Sequence, residues 1–542
     1  MKSYNRNIGI SLTVNFILFS FLWLFLCPVY HSRDDVFLLY LLSGGFGNPP
    51  TELLHYNYGM HPLLGTVLKY CFIAWPKINW LSISLVFTLV LNGSVLLYVL
   101  LQQQKKAVAF VLYLLLFSGF YCWGFLHLNF SVVSSVAYIS GAVLIFYYSR
   151  KQKKWHCYVW PLLLLIVASF YRIHTLVPVG IVLAPLFFTI EFKRDRLKFI
   201  TCVLGACIFI FVLNRQHVAY YKKHIPGWEK EEAYRQAAFN FVNKEVRYKP
   251  EDLKNENTKT KLLVYKLFFD KDYFNIESIS IMNKGFIVLK SIKEVRFTLY
   301  WLIIENRAFL LLLLFCSTVA FFCVEKKNRI CIAASLFLSF LLVLFMMLYL
   351  KLPYYILPVL IGSALSGFFA IMPSLSFSQL KTYFSGAVVL LLLSYSLVRV
   401  YKTNNENLQK KTVFKNAVNQ FSSRTDSFFV LLHPGFPIDF FPATNSPFHL
   451  PLTNVVFNAH FINNEANKMF KRNGIENVND LWKNKKVLIW SLPSKEEPPT
   501  FDVLLQLYFK DKYNTIISFS NPLPAYNYGE VRKLLFVSTN IP

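Results

Sequence analysis

The chain has 542 residues, of which 55% are hydrophobic, 18% are aromatic and only 16% are charged. A soluble globular protein of this size carries about a quarter of charged residues, so this composition excludes a soluble fold and predicts a protein with several membrane spans. The formal net charge of +27 favours contact with anionic lipid head groups or lipid phosphates. Nucleic acid is not predicted as a partner, because no basic stretch is interleaved with aromatic residues.

Apolar blocks of spanning length follow one another along the chain. They fall at roughly 9–30, 79–101, 107–122, 130–148, 156–171, 175–190, 197–214, 307–324, 329–351, 354–372 and 383–400. The first block follows Lys2 and Arg6 and has no small-residue cleavage site, so we interpret it as an uncleaved first span. These blocks predict a mainly α fold, a polytopic transmembrane helical bundle of about eleven spans.

The links between the blocks predict the orientation. QQQKK (102–106), SRKQKK (149–154), EFKRDRLK (191–198) and EKKNR (325–329) are short and basic. The positive-inside rule places such links in the cytoplasm, and with them the N-terminus. The C-terminus, the loop 31–78 and the segment 215–297 are then expected on the outer side.

Two domains are predicted from this pattern. Residues 1–401 form the transmembrane domain with outer loops 31–78 and 215–297, and residues 402–542 form a small α/β or α+β extracytoplasmic domain of mixed short strands and helices. Within 215–297, WEKEEAYRQAAFNFVNKEVRY predicts an amphipathic helix that lies on the membrane or covers a site. None of the nine Cys falls in 215–297 or 402–542, so neither a disulfide framework nor a Cys-based metal site is expected.

The stretch from Asp34 to Gly65 contains the strongest site candidates. Adjacent acids, Asp34 and Asp35, follow the first span, and a polar aromatic loop leads to His61-Pro62-Leu63-Leu64-Gly65. Ionisable groups near lipid are costly unless they function or are paired, so these acids are candidate catalytic residues and His61 a candidate substrate-binding residue. The alternative is a pair of solvated charges at a helix end.

Further candidates lie near the outer ends of later spans. Arg172 and His174, in FYRIHTLVP, are candidates for holding a lipid-linked phosphate, since an Arg can bind it with two parallel hydrogen bonds. Lys351, Tyr354 and Tyr355 are candidate substrate-binding residues near another outer turn. The alternatives are an Arg that anchors its span in the head groups and an interfacial aromatic belt with its Lys.

Cofactor requirements stay open at this stage. His31, His55 and His61 near the acidic pair are candidates for holding a divalent cation, and hydrogen-bonded loop histidines are the alternative. No Walker A loop, Rossmann glycine fingerprint, GxSxG or HExxH is present, so the sequence gives no support for nucleotide-dependent chemistry. No cofactor is therefore assigned, and a divalent cation remains a candidate.

An acidic pair after the first span, followed by an outer loop that ends in His-Pro-hydrophobic-Leu-Gly, resembles the GT-C glycosyltransferases. The protein O-mannosyltransferases and the lipid A aminoarabinose transferases have the most similar patterns. The resemblance implies many spans, an active site in the first outer loop and a polyprenyl-phosphate-linked sugar donor. It maps the proposed base onto Asp34 and the loop motif onto His61 to Gly65, with Leu63 in place of the second Pro.

Two positions depart from the family pattern, and they leave the substrates open. Met60 precedes His61 where the aminoarabinose transferases have an acid before Lys-Pro, and Leu38 stands where a Tyr is expected. The motif match covers about the first 80 residues, so the resemblance identifies neither the sugar nor the acceptor, which is a glycan, a lipid or a protein.

The function that the resemblance implies is inverting transfer of a sugar at the outer face of a membrane. The lipid-linked sugar and the absence of disulfides in the outer segments favour the periplasmic face of a bacterial inner membrane. Asp34 would accept the proton of the acceptor hydroxyl, and Arg172, with Lys351 or a divalent ion, would stabilise the departing phosphate. Asp35 would orient Asp34 or hold a metal, and His61 would position the loop or touch the phosphate. An O-antigen-type polysaccharide polymerase and a lipid-linked oligosaccharide flippase or transporter are the alternatives.

Overall fold

The computed structural model describes residues 2–53, 60–243, 292–349, 352–374, 386–431, 436–457, 463–491, 501–523 and 530–539, together with Tyr273 and Glu277. Every structural statement below concerns these residues. Lys351 and His55, both considered from the sequence, lie outside them.

Helices account for most of the described chain, and each predicted apolar block contains one. In the membrane domain they are α1 (Lys2–Phe25), α2 (Arg33–Ser43), α3 (Pro62–Ala74), α4 (Trp80–Gln103), α5 (Lys106–Leu116), α6 (Cys122–Leu126), α7 (Phe130–Arg150), α8 (Val159–Tyr171), α9 (Leu176–Leu183), α10 (Lys193–His224), α11 (Trp228–Asn243), α12 (Ile292–Cys323), α13 (Lys326–Tyr349), α14 (Ile356–Ile371) and α15 (Gly386–Ser422).

Seven described segments are long and apolar enough to cross a membrane, and others are shorter apolar helices. The seven are 6–25, 80–103, 106–126, 130–150, 193–224, 293–323 and 326–349, and the shorter ones include 155–171, 173–189 and 356–371. The predicted mainly α, polytopic membrane fold is therefore confirmed. The short apolar helix α3 begins directly after His61, in a region that the sequence analysis did not count among the spans.

Helix α7 lies at the centre of the bundle. All of its residues except Ala142 and Arg150 are buried, and α4, α8 and α14 pack against it. Spans in a lipid environment gain no hydrophobic free energy from contacting each other, so they associate through close packing and hydrogen bonds. Small residues on α7 allow the helix backbones to approach closely enough for both. The Ser134 hydroxyl, for example, donates to a backbone carbonyl of α8, the Ala168 oxygen, at 2.8 Å.

A short parallel strand pair fixes the N-terminal end of α7 next to the segment that follows α1. Strand β1 (Val29–Tyr30) pairs with β2 (His127–Leu128), with Val29 opposite His127 and Tyr30 opposite Leu128. Helix α2 begins shortly after β1 and α7 shortly after β2. The N-termini of α2 and α7 are consequently brought side by side.

The C-terminal part contains the mixed strands and helices that were predicted. Its elements are β3 (Phe428–Leu431), β4 (Val455–Phe457), α16 (Asn463–Arg472), β5 (Val487–Ser491), α17 (Phe501–Tyr513), β6 (Thr515–Phe519), β7 (Glu530–Arg532) and β8 (Leu534–Thr539). Strands β4, β3 and β5 are parallel neighbours, β7 runs antiparallel to β5, and β6 pairs with β8 in a separate antiparallel ribbon. The boundary predicted after residue 401 falls inside α15, which continues to Ser422 before the first strand of this part.

The C-terminal part packs directly against the region that contains the acidic pair. The Asn79 side-chain amide donates to the carbonyl oxygens of Ala443 at 2.9 Å and Asn445 at 2.8 Å. The hydroxyl of Tyr40, on α2, donates to the Leu450 carbonyl at 2.5 Å. Because these donors and acceptors are buried, separating the two surfaces would leave them unpaired, so the C-terminal part holds α2 in position.

Candidate functional site at the N-terminal end of α7

Two capped helix starts converge at the site. The Ser32 hydroxyl accepts a hydrogen bond from the backbone N–H of Asp34 at 3.1 Å and caps α2. The Asn129 side-chain oxygen accepts from the backbone N–H groups of Ser131 at 2.8 Å and Val132 at 3.2 Å and caps α7. Each helix N-terminus carries a partial positive charge, so this region favours negatively charged groups.

Asp35 joins the two helix starts. One of its carboxylate oxygens accepts from the Asn129 side-chain N–H at 2.7 Å, and the other accepts from the backbone N–H of Phe130 at 2.8 Å. The side chain is fully buried. Burial raises the pKa of Asp35 above its usual range, as does the neighbouring Asp34, while the two donors and nearby Arg172 favour the ionised form. With both oxygens engaged, Asp35 is placed to fix the start of α2 on α7.

Asp34 is partly exposed, in contrast to its neighbour. It lies in the first turn of α2, one residue before the buried acid. Since successive helical residues point in directions about 100° apart, burial of Asp35 against α7 turns Asp34 away from that contact. Of the two acids, Asp34 is the one that an external molecule can reach.

Arg172 lies against the first turn of α7. It follows α8, and its guanidinium donates to the Ser131 hydroxyl at 2.6 Å and lies 5.3 Å from the ring centroid of Phe130. Its positive charge acts on both Asp35 and Tyr354. An Arg held in this way presents a fixed cation beside the acidic pair.

A group of rings borders the acids on another side. The His31 ring lies 3.7 Å from the Tyr354 ring and 4.7 Å from the His127 ring, measured between centroids. Burial is the main cause that lowers the pKa of His31 to about 2 and that of His127 to about 4, so both imidazoles are neutral near pH 7. Burial also raises the pKa of Tyr354, and Asp35, Asp34 and Arg172 act on it electrostatically. These electrostatic influences place Tyr354 beside the acidic pair and Arg172.

A cavity of about 470 Å³ opens next to these rings, between α12 and α15. We call it the α12–α15 pocket. Its lining residues are His31, Trp123, His127, Ile304, Glu305, Asn306, Arg307, Tyr354, Tyr395, Val398, Arg399, Lys402, Thr403 and Glu406.

His61, another predicted site residue, lies at the start of α3. His61 caps α3: its Nδ1 accepts from the Leu63 N–H at 3.2 Å, and its Nε2 lies 3.1 Å from the Leu213 carbonyl oxygen. It is nearly buried, and its ring neighbours are Phe170 and His217. Both ring nitrogens of His61 are engaged by the protein, so its observed role is to cap α3, and a substrate-binding role remains an untested prediction.

His174 and Tyr355 lie near the site at its margins. His174 is exposed and within electrostatic range of Arg172 and of Arg235, a buried residue of α11. The amphipathic helix predicted from 228 onward therefore packs against the protein near this end of the bundle. Tyr355 caps α14, and its ring centroid lies 5.3 Å from that of Tyr354.

A divalent cation does not fit the residues of the described chain. No group of three or more His, Cys, Asp or Glu side chains comes together within the described ranges. Near Asp34, the Asp35 carboxylate already accepts two hydrogen bonds, and His127 Nδ1 lies 3.1 Å from the Trp123 carbonyl oxygen. The donor set is thus too small for a metal site, and no step below involves one.

Three site residues were not found from the sequence. Asn129 has a recognisable signal, because an Asn followed closely by Ser before an apolar run is typical of a helix N-cap. His127 and Arg399 have none, since one lies between two apolar blocks and the other ends a span like many arginines. Only the strand pair β1–β2 and the packing of α15 bring them to the cavity that His31 and Tyr354 also line.

Similarity to known proteins is found among solved structures. Neither the protein-family models nor the curated proteins match this sequence. Among solved structures, the chain is similar to ArnT from Cupriavidus metallidurans bound to undecaprenyl phosphate, with a TM-score of 0.37, 10% identity and 99% of each chain covered. The apo form of the same protein gives the same TM-score and identity over 97% of each chain. Similarity at this level is too weak to assign a function, so only the residues of this chain bear on its chemistry.

Proposed function

We propose that this protein is an integral membrane glycosyltransferase that moves a sugar from a polyprenyl-phosphate donor to an acceptor by an inverting mechanism. The observation that carries the proposal is that one reachable carboxylate, Asp34, and one fixed cation, Arg172, both act electrostatically on Asp35 and Tyr354 at two converging helix starts. A reachable base and a cation for a departing phosphate are the two groups that such a transfer requires. The sequence motif from Asp34 to Gly65 supports the same function.

In the proposed reaction, Asp34 is the general base. It accepts the proton of the acceptor hydroxyl as that oxygen attacks the anomeric carbon of the donor sugar. The bond between the anomeric carbon and the phosphate oxygen breaks, and the phosphate leaves on its polyprenyl chain. The configuration at the anomeric carbon inverts because a single displacement occurs.

Arg172 and the helix starts act on the departing phosphate. Negative charge grows on that group in the transition state, and a cation already fixed by Ser131 and Phe130 stabilises it with little reorganisation. The N-termini of α2 and α7 contribute partial charge in the same direction. The activated lipid supplies the driving force, so no nucleotide is needed at this face.

Asp35 has a positioning role in this proposal. It holds the first turn of α2 on α7, and it thereby fixes the direction in which Asp34 points. His174, Tyr354 and Tyr355 border the site and remain candidate substrate contacts. The acceptor is a glycan, lipid or protein, and the proposed location is the outer face of a bacterial inner membrane.

Asp34→Asn tests the proposal directly. Asn keeps the shape of the side chain but cannot accept a proton usefully near neutral pH, so sugar transfer should fall by about 10²–10⁴. The assay measures sugar transfer from a polyprenyl-phosphate donor in membranes, with expression matched between variants.

A matched control for this test is Asp426→Asn, which makes the same chemical change at an exposed site in the turn before β3. It should transfer at the wild-type rate. Wild-type transfer in Asp34→Asn would make Asp34 a solvated helix-end charge and remove the proposed mechanism. A product that grows to long chains from a lipid-linked oligosaccharide would instead favour the polymerase alternative.

A further inference from the structure

A buried side chain of α15 holds the two strands that lead into the site. Asn407 is fully buried, and its side-chain N–H₂ donates to the backbone carbonyls of Cys27 and Leu126, each at 3.0 Å. Cys27 lies two residues before β1, and Leu126 ends α6 directly before β2. One amide group therefore bridges the two segments at the point where the strand pair begins.

A second Asn on the same face of α15 holds Cys27 from its other side. The Asn404 side-chain oxygen accepts a hydrogen bond from the backbone N–H of Cys27 at 2.6 Å. Since residues three apart in a helix lie on one face, Asn404 and Asn407 together bind both backbone polar groups of Cys27. We call this pair the Asn clamp. It fixes Cys27 on a helix that continues to Ser422, close to the first strand of the C-terminal part.

The strand pair needs such support because it is very short. β1 and β2 have two residues each, and a pair of strands is only marginally stable by itself. At its far end the His31 N–H donates to the Leu128 carbonyl at 3.1 Å, and beyond that bond Asp35 joins α2 to α7 through Asn129 and Phe130. The Asn clamp and Asp35 thus tie the two segments together at opposite ends of the strand pair.

The side-chain oxygen of Asn407 has no hydrogen-bond partner in the described part of the chain. A buried acceptor without a partner offsets part of the stability that the two donated bonds provide. Net stabilisation is therefore a weak reason for an Asn at this position. Its distinctive property is geometric, because one planar N–H₂ group donates to two carbonyls only while these carbonyls keep a fixed separation.

The offset between the two segments matters for the proposed reaction, because its two charged groups belong to different segments. Asp34 follows β1 on α2, whereas Arg172 is held on the first turn of α7 by Ser131 and Phe130. A shift of one segment along the other changes the separation between base and cation. A displacement of about 1 Å can slow an enzymatic step by about 10²-fold.

We propose that Asn407, assisted by Asn404, is a positioning residue that sets the offset between the segment of Asp34 and the segment that holds Arg172. This inference rests on the proposed function. Asn407 acts on transfer only through the place of Asp34, so it is not itself a catalytic residue. Through the Asn clamp, the geometry of the site depends on α15, the helix that also lines the α12–α15 pocket.

Hydrogen exchange tests the Asn clamp without any measurement of activity. The full chain in neutral detergent is compared as wild type and as Asn407→Ala, and mass spectrometry follows peptides that cover 27–35 and 126–132. Loss of the two donated bonds should raise exchange in both peptides by at least about tenfold. Asn416→Ala makes the same change at an exposed position of α15 and should exchange like wild type. Unchanged exchange in Asn407→Ala would overturn the clamp.

A double-mutant cycle distinguishes positioning from stabilisation. Transfer from a polyprenyl-phosphate donor is measured per folded molecule for Asn407→Ala alone and combined with Asp34→Asn. A misplaced base should lower transfer by about 10- to 100-fold when Asp34 is present, and by less than about twofold when it is already Asn. A residue that only stabilises the fold would lower transfer by the same factor in both backgrounds. That result, or wild-type transfer by Asn407→Ala, would overturn the positioning role.

The tests stay informative if Asn407→Ala does not fold, and they stay separable from the proposed function. Asn404→Ala then carries the same cycle, because its partly exposed side chain makes one of the three bonds of the clamp, and it should lower transfer by roughly two- to tenfold. Wild-type transfer by Asp34→Asn together with faster exchange in Asn407→Ala would remove the proposed base and retain the clamp. Unchanged exchange in Asn407→Ala with a transfer defect in Asp34→Asn would do the reverse.

Discussion

The two adjacent acids should respond to substitution in opposite ways. Asp35 accepts hydrogen bonds from Asn129 and from the Phe130 N–H, both of which are buried. Asp35→Ala leaves both donors unpaired, and each unpaired buried donor costs about 1–3 kcal/mol, so the expected loss of stability is about 2–6 kcal/mol. Asp35→Asn keeps one acceptor oxygen and turns an amide N–H₂ toward the other donor, so its expected loss is about 1–3 kcal/mol.

Asp34→Asn provides the comparison within the same helix turn. Its side chain is partly exposed and away from the Asn129 contact, so stability should change by less than about 0.5 kcal/mol. The transfer activity of Asp34→Asn should nevertheless fall strongly, although its stability stays close to that of the wild type. One acid is therefore expected to affect turnover and the other to affect folding.

A thiol-reactive dye can measure the thermal midpoints, because the chain has free buried cysteines such as Cys27, Cys122 and Cys316 that react when the bundle opens. The expected order of midpoints is Asp35→Ala lowest, then Asp35→Asn, then Asp34→Asn together with wild type. A wild-type midpoint in Asp35→Ala would refute the reasoning that Asp35 joins α2 to α7. A large drop in Asp34→Asn would refute the separation of roles.

Three further predictions test other parts of the site. Arg172→Lys keeps the positive charge but cannot form two parallel hydrogen bonds to a phosphate. We therefore expect a higher KM for the polyprenyl-phosphate donor. An unchanged KM would favour a role for Arg172 in anchoring its span. Although burial raises the pKa of Glu52, hydrogen bonds from Lys69 and Tyr220 outweigh it and hold that pKa below its usual value of 4.5. The stabilisation from Glu52 is then present above about pH 4.5 and lost as pH falls through its folded pKa, so the wild-type melting midpoint should drop on acidification more than that of Glu52→Gln; parallel curves would contradict this. Reporter fusions after Ser422 and within 250–260 should both read as external, and a cytoplasmic signal from either would contradict the predicted topology.

The membrane fold could be predicted from the sequence because its signals are local. A run of about 20 apolar residues must form a helix in lipid, because no water is present to hydrogen-bond its backbone. Short basic links lie on the cytoplasmic side, so their charge indicates the orientation of the spans. The acidic pair was found for a similar reason, since two carboxylates beside an apolar block are unusual whatever they contact. The strands around Phe428 and Val487 were also visible as short apolar runs between turns.

The roles within the site depended on contacts between distant parts of the chain. Asp34 and Asp35 are neighbours of the same type, and only the N–H groups of Asn129 and Phe130, over 90 residues away, distinguish the buried anchor from the reachable acid. His61 carried the family motif, yet its ring nitrogens serve the start of α3 and a carbonyl of α10. Arg399 becomes a pocket residue only because α12 and α15 pack together. Sequence alone determined which segments enter the membrane and which side chains are chemically capable, because those properties belong to single segments. The tertiary structure decided which capable side chains meet, because burial and hydrogen-bond partners exist only once distant segments have packed.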